Sequence, residues 1–310
     1  MKVLVTGAAG YVGQVVAARL AETGHQVTGY DLQDGCDIRD SLTLAKTRPR
    51  LDAVIHCAAR TLVTESYQDP GGYWDVNLAG TYTLLNAARK AGVRRVVISS
   101  TAAVYGETGQ EPVGEDHPAR PGSPYGASKL AADILLGRFA AHHGFAAASL
   151  RYFNVAGAHR GGGGTWLGER HDPETHLIPS VLRAAARKTP VPVHGDGYPT
   201  RDGTCIRDYI HVTDLADAHL KALQAARPGT HHVWNLGTGK GWTVSEVIEM
   251  CRIITRLGIT VARRAPRDGD PPVLVAANDR ARADLGWEPV RGLEQIVRDA
   301  WAFMQQEGAC

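Results

Sequence analysis

The chain of 310 residues is long enough to bury a large core and to form one nucleotide-binding domain with a smaller companion. Its 34 Lys and Arg against 32 Asp and Glu leave a formal charge of +2, which steers it neither to nucleic acid nor to a membrane surface. Its 5 cysteines (Cys36, Cys57, Cys205, Cys251 and Cys310) are scattered, with no C-x-x-C and no Cys/His ligand cluster. A reducing, cytoplasmic setting without a structural metal is therefore expected. No apolar stretch is long enough to span a bilayer, and the first residues enter a strand without the apolar run of a secretion signal.

Taken in order, the chain opens on Val3-Leu4-Val5, a short buried strand, followed at once by Thr6-Gly7-Ala8-Ala9-Gly10-Tyr11-Val12-Gly13. Strand, glycine turn and helix together make a pyrophosphate site. Gly7 permits the tight turn, Gly10 lets backbone N–H groups approach the ligand, and Gly13 lets the helix pack close to the strand. The helix, Tyr11 to Glu22, stops at Gly24, and a second strand, Val27 to Tyr30, ends in Asp31. Asp31 lies 18 residues beyond Gly13, near the ~20 expected of a carboxylate that accepts the ribose hydroxyls. A carboxylate repels a 2′-phosphate, and Leu32-Gln33 offer no cation, so the cofactor is read as NAD rather than NADP. Capping of a turn at the strand end is the alternative role for Asp31.

An acidic loop to Asp37-Ile38-Arg39-Asp40 follows, then a helical segment to about Lys46. Leu51 to Ala59 and Arg95 to Val104 read as strands around a helix over 75–92, and Tyr125 to His143 as a helix before a strand from Phe145 to Phe153. This alternation predicts a doubly wound parallel sheet. From Asn154 glycines and prolines break the pattern, although helices remain expected over 178–188, 214–226, 244–257 and 293–306, with a strand at 232–236. The fold class expected is α/β, a Rossmann-type doubly wound sheet (1–153, binding NAD) with a smaller C-terminal α/β domain (154–310). Part of the second domain, about 204–238, is expected to return to the first sheet.

The second signal is Tyr125-Gly126-Ala127-Ser128-Lys129. Positions four apart share a helix face, so phenol and ammonium can enter one cleft. A free phenol titrates near ~10; the ammonium and a positive nicotinamide would both lower that value and make Tyr125 a base. Tyr-x-x-x-Lys is common on helix surfaces. Here it follows the strand end Ser99-Ser100-Thr101, where a parallel sheet presents groups to ligands.

With these residues in view, the chain resembles the extended short-chain dehydrogenases, and within them the UDP-glucose (UDP-galactose) 4-epimerase family. The likeness runs through TGAAGYVG, DIRD, VNLAGT, SSTAAVYG, PYGASK, RYFNVAGA, ERHDPETHLIP, GDGYPTRDGTCIRDYIHVTDLADAH, NLGTGKG and RDGDPPVLVA, nearly the whole length. It implies Thr101 as the catalytic hydroxyl, Tyr125 as base and acid, and Lys129 as its tuner. It puts Tyr11, Val12, Asp31, Asp37, Ile38, Cys57, Ala58, Ala59, Asn77 and Phe153 on NAD-contacting positions, beside Ser99 and the glycines. It puts Asn154, His176, Leu177, Val193, His194, Arg207, Arg267 and Asp270 on positions holding the nucleotide of a sugar donor, and Leu274 at the sugar. Forked hydrogen bonds from Arg207 and Arg267 suit a diphosphate, and Asp270 suits a ribose; pairing with Asp208 is the plainer role for Arg207, and helix capping for His176. Three departures stand out: only five residues separate Asp31 from Asp37, Arg60-Thr61 replace a cofactor-facing lysine of some relatives, and Leu274 replaces a tyrosine or a small residue.

The resemblance implies tightly bound NAD, a UDP-sugar substrate and a homodimer. Other readings are epimerisation of a UDP-N-acetylhexosamine or UDP-pentose, decarboxylation, and 4,6-dehydration. The dehydratases typically carry Asp-Glu after the strand-end hydroxyl, where this chain has Ala102-Ala103. A non-catalytic NAD-sensing regulator of this fold has often lost the Tyr/Lys pair, which is present here.

Overall fold

The computed structural model describes residues 1–40, 51–109, 112–267 and 270–308; the helix expected to end near Lys46 lies outside them. The elements, in order, are β1 (Lys2–Thr6), α1 (Tyr11–Glu22), β2 (Gln26–Tyr30), β3 (Ala53–His56), α2 (Val63–Gln68), α3 (Pro70–Trp74), α4 (Thr81–Lys90), β4 (Arg95–Thr101), α5 (Pro124–His143), β5 (Ala146–Tyr152) and β6 (Asn154–Ala156). There follow β7 (His159–Arg160), β8 (Trp166–Leu167), α6 (Leu177–Arg187), β9 (Val191–His194), β10 (Ile206–His211), α7 (Val212–Ala225), β11 (His231–Leu236), β12 (Gly241–Thr243), α8 (Val244–Thr255), β13 (Val261–Arg264), β14 (Val273–Leu274), α9 (Asp279–Leu285) and α10 (Leu293–Gln306).

Six parallel strands form the main sheet in the order β11-β5-β4-β3-β1-β2. Strand side chains alternate between faces. Val3, Val5, Ala53, Ile55 and Val97 accordingly pack with α1 and α7, while Leu4, Val54, Val96 and Ile98 pack with α4 and α5. Burial on both faces explains the unbroken apolar runs that marked these strands. The strand expected at 95–104 ends at Thr101 because Ala102–Val104 turn into one 3₁₀ turn. The helix expected over 75–92 starts as a π-turn, Asp75–Gly80, before α4.

A second apolar cluster joins α6, α8 and α10 through Ile178, Val181, Leu182, Val247, Ile248, Ile296 and Val297. The segment expected to return to the first sheet, 204–238, divides. Its β10 pairs with β6, β12 and β14 in a separate sheet, whereas α7 and β11 rejoin the main one. Tyr209↔Asn154 pairing holds β10 directly beside the exit of β5, so the two sheets meet at the carboxyl ends of the main-sheet strands.

Candidate active site

The glycine turn sits at the carboxyl end of β1, between β3 and the edge strand β2. Gly7 has φ 69°, and a Cβ there would lie 2.6 Å from the Ala58 nitrogen, so Cys57-Ala58-Ala59 leaving β3 pass directly beneath the turn. A Cβ on Gly13 would fall 1.9 Å from the Gly7 carbonyl oxygen. Helix α1 begins after Gly10 with no side-chain cap and no acidic residue in its first turn. Its first N–H groups and the positive end of its dipole are thus left for an anion. This bare, glycine-lined helix start fits the pyrophosphate of NAD.

Asp31 takes the capping role the sequence offered as the alternative. One carboxylate oxygen accepts the Gln33 N–H (3.0 Å) and caps the short turn Leu32–Asp34; the other accepts the Ala9 N–H (2.9 Å), so the acid is fixed against the glycine turn. Three of the five residues before Asp37 make that turn, and the Tyr30 hydroxyl donates to the Asp37 carbonyl (2.8 Å). Arg39 pairs with Asp37 at 2.6 Å and holds its carboxyl below the usual range. Ile38 is buried against Gly80, and Val12 and Tyr11 are half-buried, the Tyr11 hydroxyl donating to the Gly157 carbonyl at 2.7 Å.

Asn77 lies in the π-turn. Its amide accepts from the Arg60 N–H (2.9 Å) and donates to the Arg60 carbonyl and the Ser128 hydroxyl (both 3.0 Å), tying the β3 exit to the Tyr/Lys helix. The Arg60 guanidinium is held by Asp69 and Glu65 and lies over the Tyr73 ring, 4.7 Å from its centroid.

Helix α5 starts behind a Ser123 cap with Pro124 in its first turn, and it docks on the end of β4 through Gly126. A Cβ on Gly126 would stand 2.5 Å from the Ala103 carbonyl oxygen. That approach sets the Tyr125 phenol beside Thr101, whose hydroxyl works against the burial that raises the phenol pKa. The Thr101 oxygen accepts the Ala103 N–H (3.1 Å), which leaves its O–H to donate to the phenol. Tyr73 meets the Tyr125 ring edge-on at 6.2 Å.

The expected fall in the Tyr125 pKa is not what the chain alone produces. Burial raises it, the Thr101 hydrogen bond opposes that, and the ammonium does not reverse it. Lys129, also buried, is pushed down to about 8 by desolvation, against the pull of Asp133 and Cys57.

Sequence reasoning named Ser99 and Cys57 under the pair but missed the groups around them, His219, Asp133 and Arg151. The Ser99 hydroxyl donates to Cys57 Sγ (3.3 Å) and meets His219 Nε2 (3.4 Å). Burial holds His219 down at about 4 and the Cys57 thiol up at about 11. Asp133, one helical turn beyond Lys129, binds Arg151 and Ser100 at 3.0 Å each. Only its i+4 spacing from Lys129 could have pointed to Asp133; the other contacts cross the sheet.

Of the residues expected at the nucleotide and sugar, Asn154, Arg207 and Leu274 lie on the smaller sheet, whereas His176 and Leu177 stand at the start of α6 and Val193 and His194 on β9. Phe153 is buried, and Asn154 donates to the Asp208 carbonyl (3.1 Å). Arg207 pairs with Asp270 and not with Asp208. Asp208 is instead fully buried and accepts from Thr238, Gly239 and Ala276 N–H groups. Asp270 meets Arg207 through one carboxylate oxygen, Oδ1. Val193 is buried, His194 meets the Ala265 carbonyl (3.2 Å), and Arg267 is exposed. His176 precedes Leu177 at the start of α6 but makes no capping bond; its ring turns to Glu169. Leu274 pairs in register with Arg207 and packs on the cluster of Ala102, Val104, Tyr105, Val113, Phe153 and Ala276.

Residues 3–237 match the NAD dependent epimerase/dehydratase family. A UDP-glucose 4-epimerase of Streptomyces lividans is 50% identical over 321 residues, covering 97% of this chain and 95% of that protein. The solved UDP-glucose-4-epimerase of Stenotrophomonas maltophila, with bound NAD and formylated UDP-arabinopyranose, superposes with a TM-score of 0.93 at 37% identity, covering 99% of both chains. That of Brucella ovis in complex with NAD gives 0.91 at 41% identity, over 97% of this chain and 98% of that one. A bare helix start after a glycine turn, a Tyr/Lys pair docked on a strand-end hydroxyl and these likenesses lead to one assignment: the chain belongs to the NAD-dependent epimerase/dehydratase family.

Proposed function

We propose that this chain is an NAD-dependent epimerase that interconverts UDP-galactose and UDP-glucose by inverting C4 through a 4-keto sugar. The observation that carries the reading is Tyr125 held against Thr101 at the end of β4, beside the turn that fits a pyrophosphate, with no acid at 102 or 103. Residues 1–153 hold the cofactor and 154–310 the nucleotide sugar. The glycine turn, Asp31, Asp37, Ile38, Cys57, Ala58, Ala59, Asn77, Ser99 and Phe153 form the NAD side.

When bound, NAD supplies the acceptor and donor of the C4 hydride and a positive ring that favours the phenolate of Tyr125. Tyr125 takes the proton of the C4 hydroxyl, oriented by Thr101, and returns it once the ketone has been reduced on its other face. Lys129 keeps a positive charge beneath the phenolate. Arg207 and Arg267 grip the diphosphate while the sugar, gripped loosely, turns about its link to it. Ala102 and Ala103 carry no proton, which disfavours elimination of water.

Incubation of the purified protein with UDP-galactose and no added NAD tests this. Formation of UDP-glucose is expected, with stoichiometric NAD in the supernatant after denaturation. Full activity from protein that holds no NAD overturns the mechanism.

Leu274 sets the sugar preference. Close packing makes one intruding methylene cost roughly 1–3 kcal/mol, and leucine projects where a smaller residue leaves room for an N-acetyl group. Specificity constants for UDP-N-acetylgalactosamine about 10–100-fold below those for UDP-galactose are expected. Equal constants, unchanged by Leu274→Tyr, would show that Leu274 is not the gate.

The enzyme is proposed to be cytoplasmic and a two-fold homodimer, its axis passing α4 and α5. Tyr82 (52% exposed) and Ile134 (56% exposed) project from these helices. Cys36, Cys57, Cys205 and Cys251 are free thiols, in keeping with a reducing compartment. Among the described residues no helix is long and apolar enough to cross a membrane. Light scattering at micromolar concentration is expected to give the mass of two chains; a monomer counts against the dimer.

A further inference from the structure

Between β8 and α6 the chain gathers Glu169, His171, Glu174 and His176, four ligand-type side chains within eight residues. One donor atom from each lies within 4.8 Å of the others. Glu169 Oε1 touches both imidazoles at Nδ1, His171 at 2.7 Å and His176. Glu174 Oε1 stands 3.7 Å from the same His176 nitrogen.

Both carboxylate side chains are only 5% exposed. Glu174 Oε1 accepts the N–H groups of Thr175 and His176, but its Oε2 has no hydrogen-bond partner among the described residues. Arg183 lies alongside, its guanidinium 3.4 Å from Oε2 and donating to the His171 carbonyl at 3.2 Å. Two buried carboxylates are thus left with one arginine, and burying charge without compensation is costly. One protonated imidazole would balance the single charge that remains. A dication would do so while both imidazoles bind as neutral ligands, through nitrogens that already face Glu169 Oε1.

We propose that Glu169, His171, Glu174 and His176 form a binding site for a divalent transition-metal ion of the zinc type, which clamps the 169–176 loop onto the start of α6. Two imidazoles and two carboxylates are a borderline donor set that suits zinc and its first-row neighbours better than magnesium or calcium. Bonds of about 2.0–2.2 Å in a tetrahedron require donors about 3.3–3.5 Å apart, so the site closes by side-chain rotation within its present spacing. The partly exposed rings of His171 and His176 give an entry path. The expectation of no metal rested on the scattered cysteines, and this ligand set contains none. The inference shares His176 with the nucleotide side of the epimerase reading, and zinc uptake and epimerisation are measured separately, so failure of one is distinguishable from failure of the other.

The test uses tag-free protein carrying its NAD, stripped with a chelator and titrated with zinc against a chromophoric competitor. Wild type is expected to take up one zinc per chain, with His171→Ala and Glu174→Gln each binding at least about tenfold more weakly, as loss of a ligand or its support commonly gives. Zinc at about 100 times its dissociation constant should raise the melting temperature of wild type by about 4 °C and that of the variants by less. Cobalt(II) provides a readout on wild type alone: a protein-bound visible spectrum is expected. No zinc uptake at micromolar concentration, a cobalt spectrum of the aquated ion only, or uptake unchanged in both folded variants would overturn the proposal.

Discussion

Tyr125→Phe is expected to lower kcat by about 10²–10⁴-fold, the usual worth of a positioned acid–base group, while leaving UDP binding close to wild type. The substitution removes the oxygen that faces Thr101 but keeps the ring packed edge-on against Tyr73. Fold and nucleotide grip should therefore survive. Turnover within a few-fold of wild type would mean that another group moves the proton. The same site predicts a pH dependence. Lys129 titrates at about 8, so its ammonium is present below that pH and is lost as pH rises through it. Loss of the charge withdraws support from the phenolate, and kcat/KM of wild type should fall above about pH 8. In Lys129→Arg that limb should be absent whatever the absolute rate, because a guanidinium stays charged throughout.

Gly13→Ala should abolish cofactor retention and destabilise the fold. Its Cβ would meet the Gly7 carbonyl oxygen at 1.9 Å and the carbonyl carbon at 2.7 Å. Both atoms are backbone, so no side chain can swing away; turn and helix must separate, at roughly 1–3 kcal/mol for an overpacked methyl. That separation moves the helix start away from the phosphates it is placed to bind. NAD released on denaturation and thermal unfolding measure the two effects. Gly71→Ala serves as the control, since a Cβ there meets nothing within 4 Å. A Gly13→Ala protein with full NAD and an unchanged melting temperature would show that the turn is more plastic than its geometry implies.

The local pattern of the sequence was enough for the parallel core and for two of its ligand-facing features. Val3-Leu4-Val5 and the Arg95 strand are apolar on both faces, because helices cover both sides, so they read as strands without any tertiary information. The glycine turn and Tyr125/Lys129 were legible because backbone conformation and helical spacing act within a few residues. The fine ends were not. The π-turn at Asp75–Gly80 is tied to its surroundings by the Asn77 amide bridging Arg60 and Ser128, partners that lie 17 and 51 positions away. Electrostatics also belonged to the tertiary structure. The sequence puts an ammonium one turn from a phenol, which argues for a lowered phenol pKa, yet desolvation at the sheet edge outweighs it and lowers Lys129 instead. The choice of Asp270 over the adjacent Asp208 as partner of Arg207 follows the same logic. Successive residues of a strand point to opposite faces, so Asp208 turns away to buried amides while Asp270 arrives from 63 residues on. The Glu169–His176 cluster repeats the point. Its residue types were visible in the sequence, and only the folded loop brings two carboxylates and two imidazoles within 4.8 Å of one another.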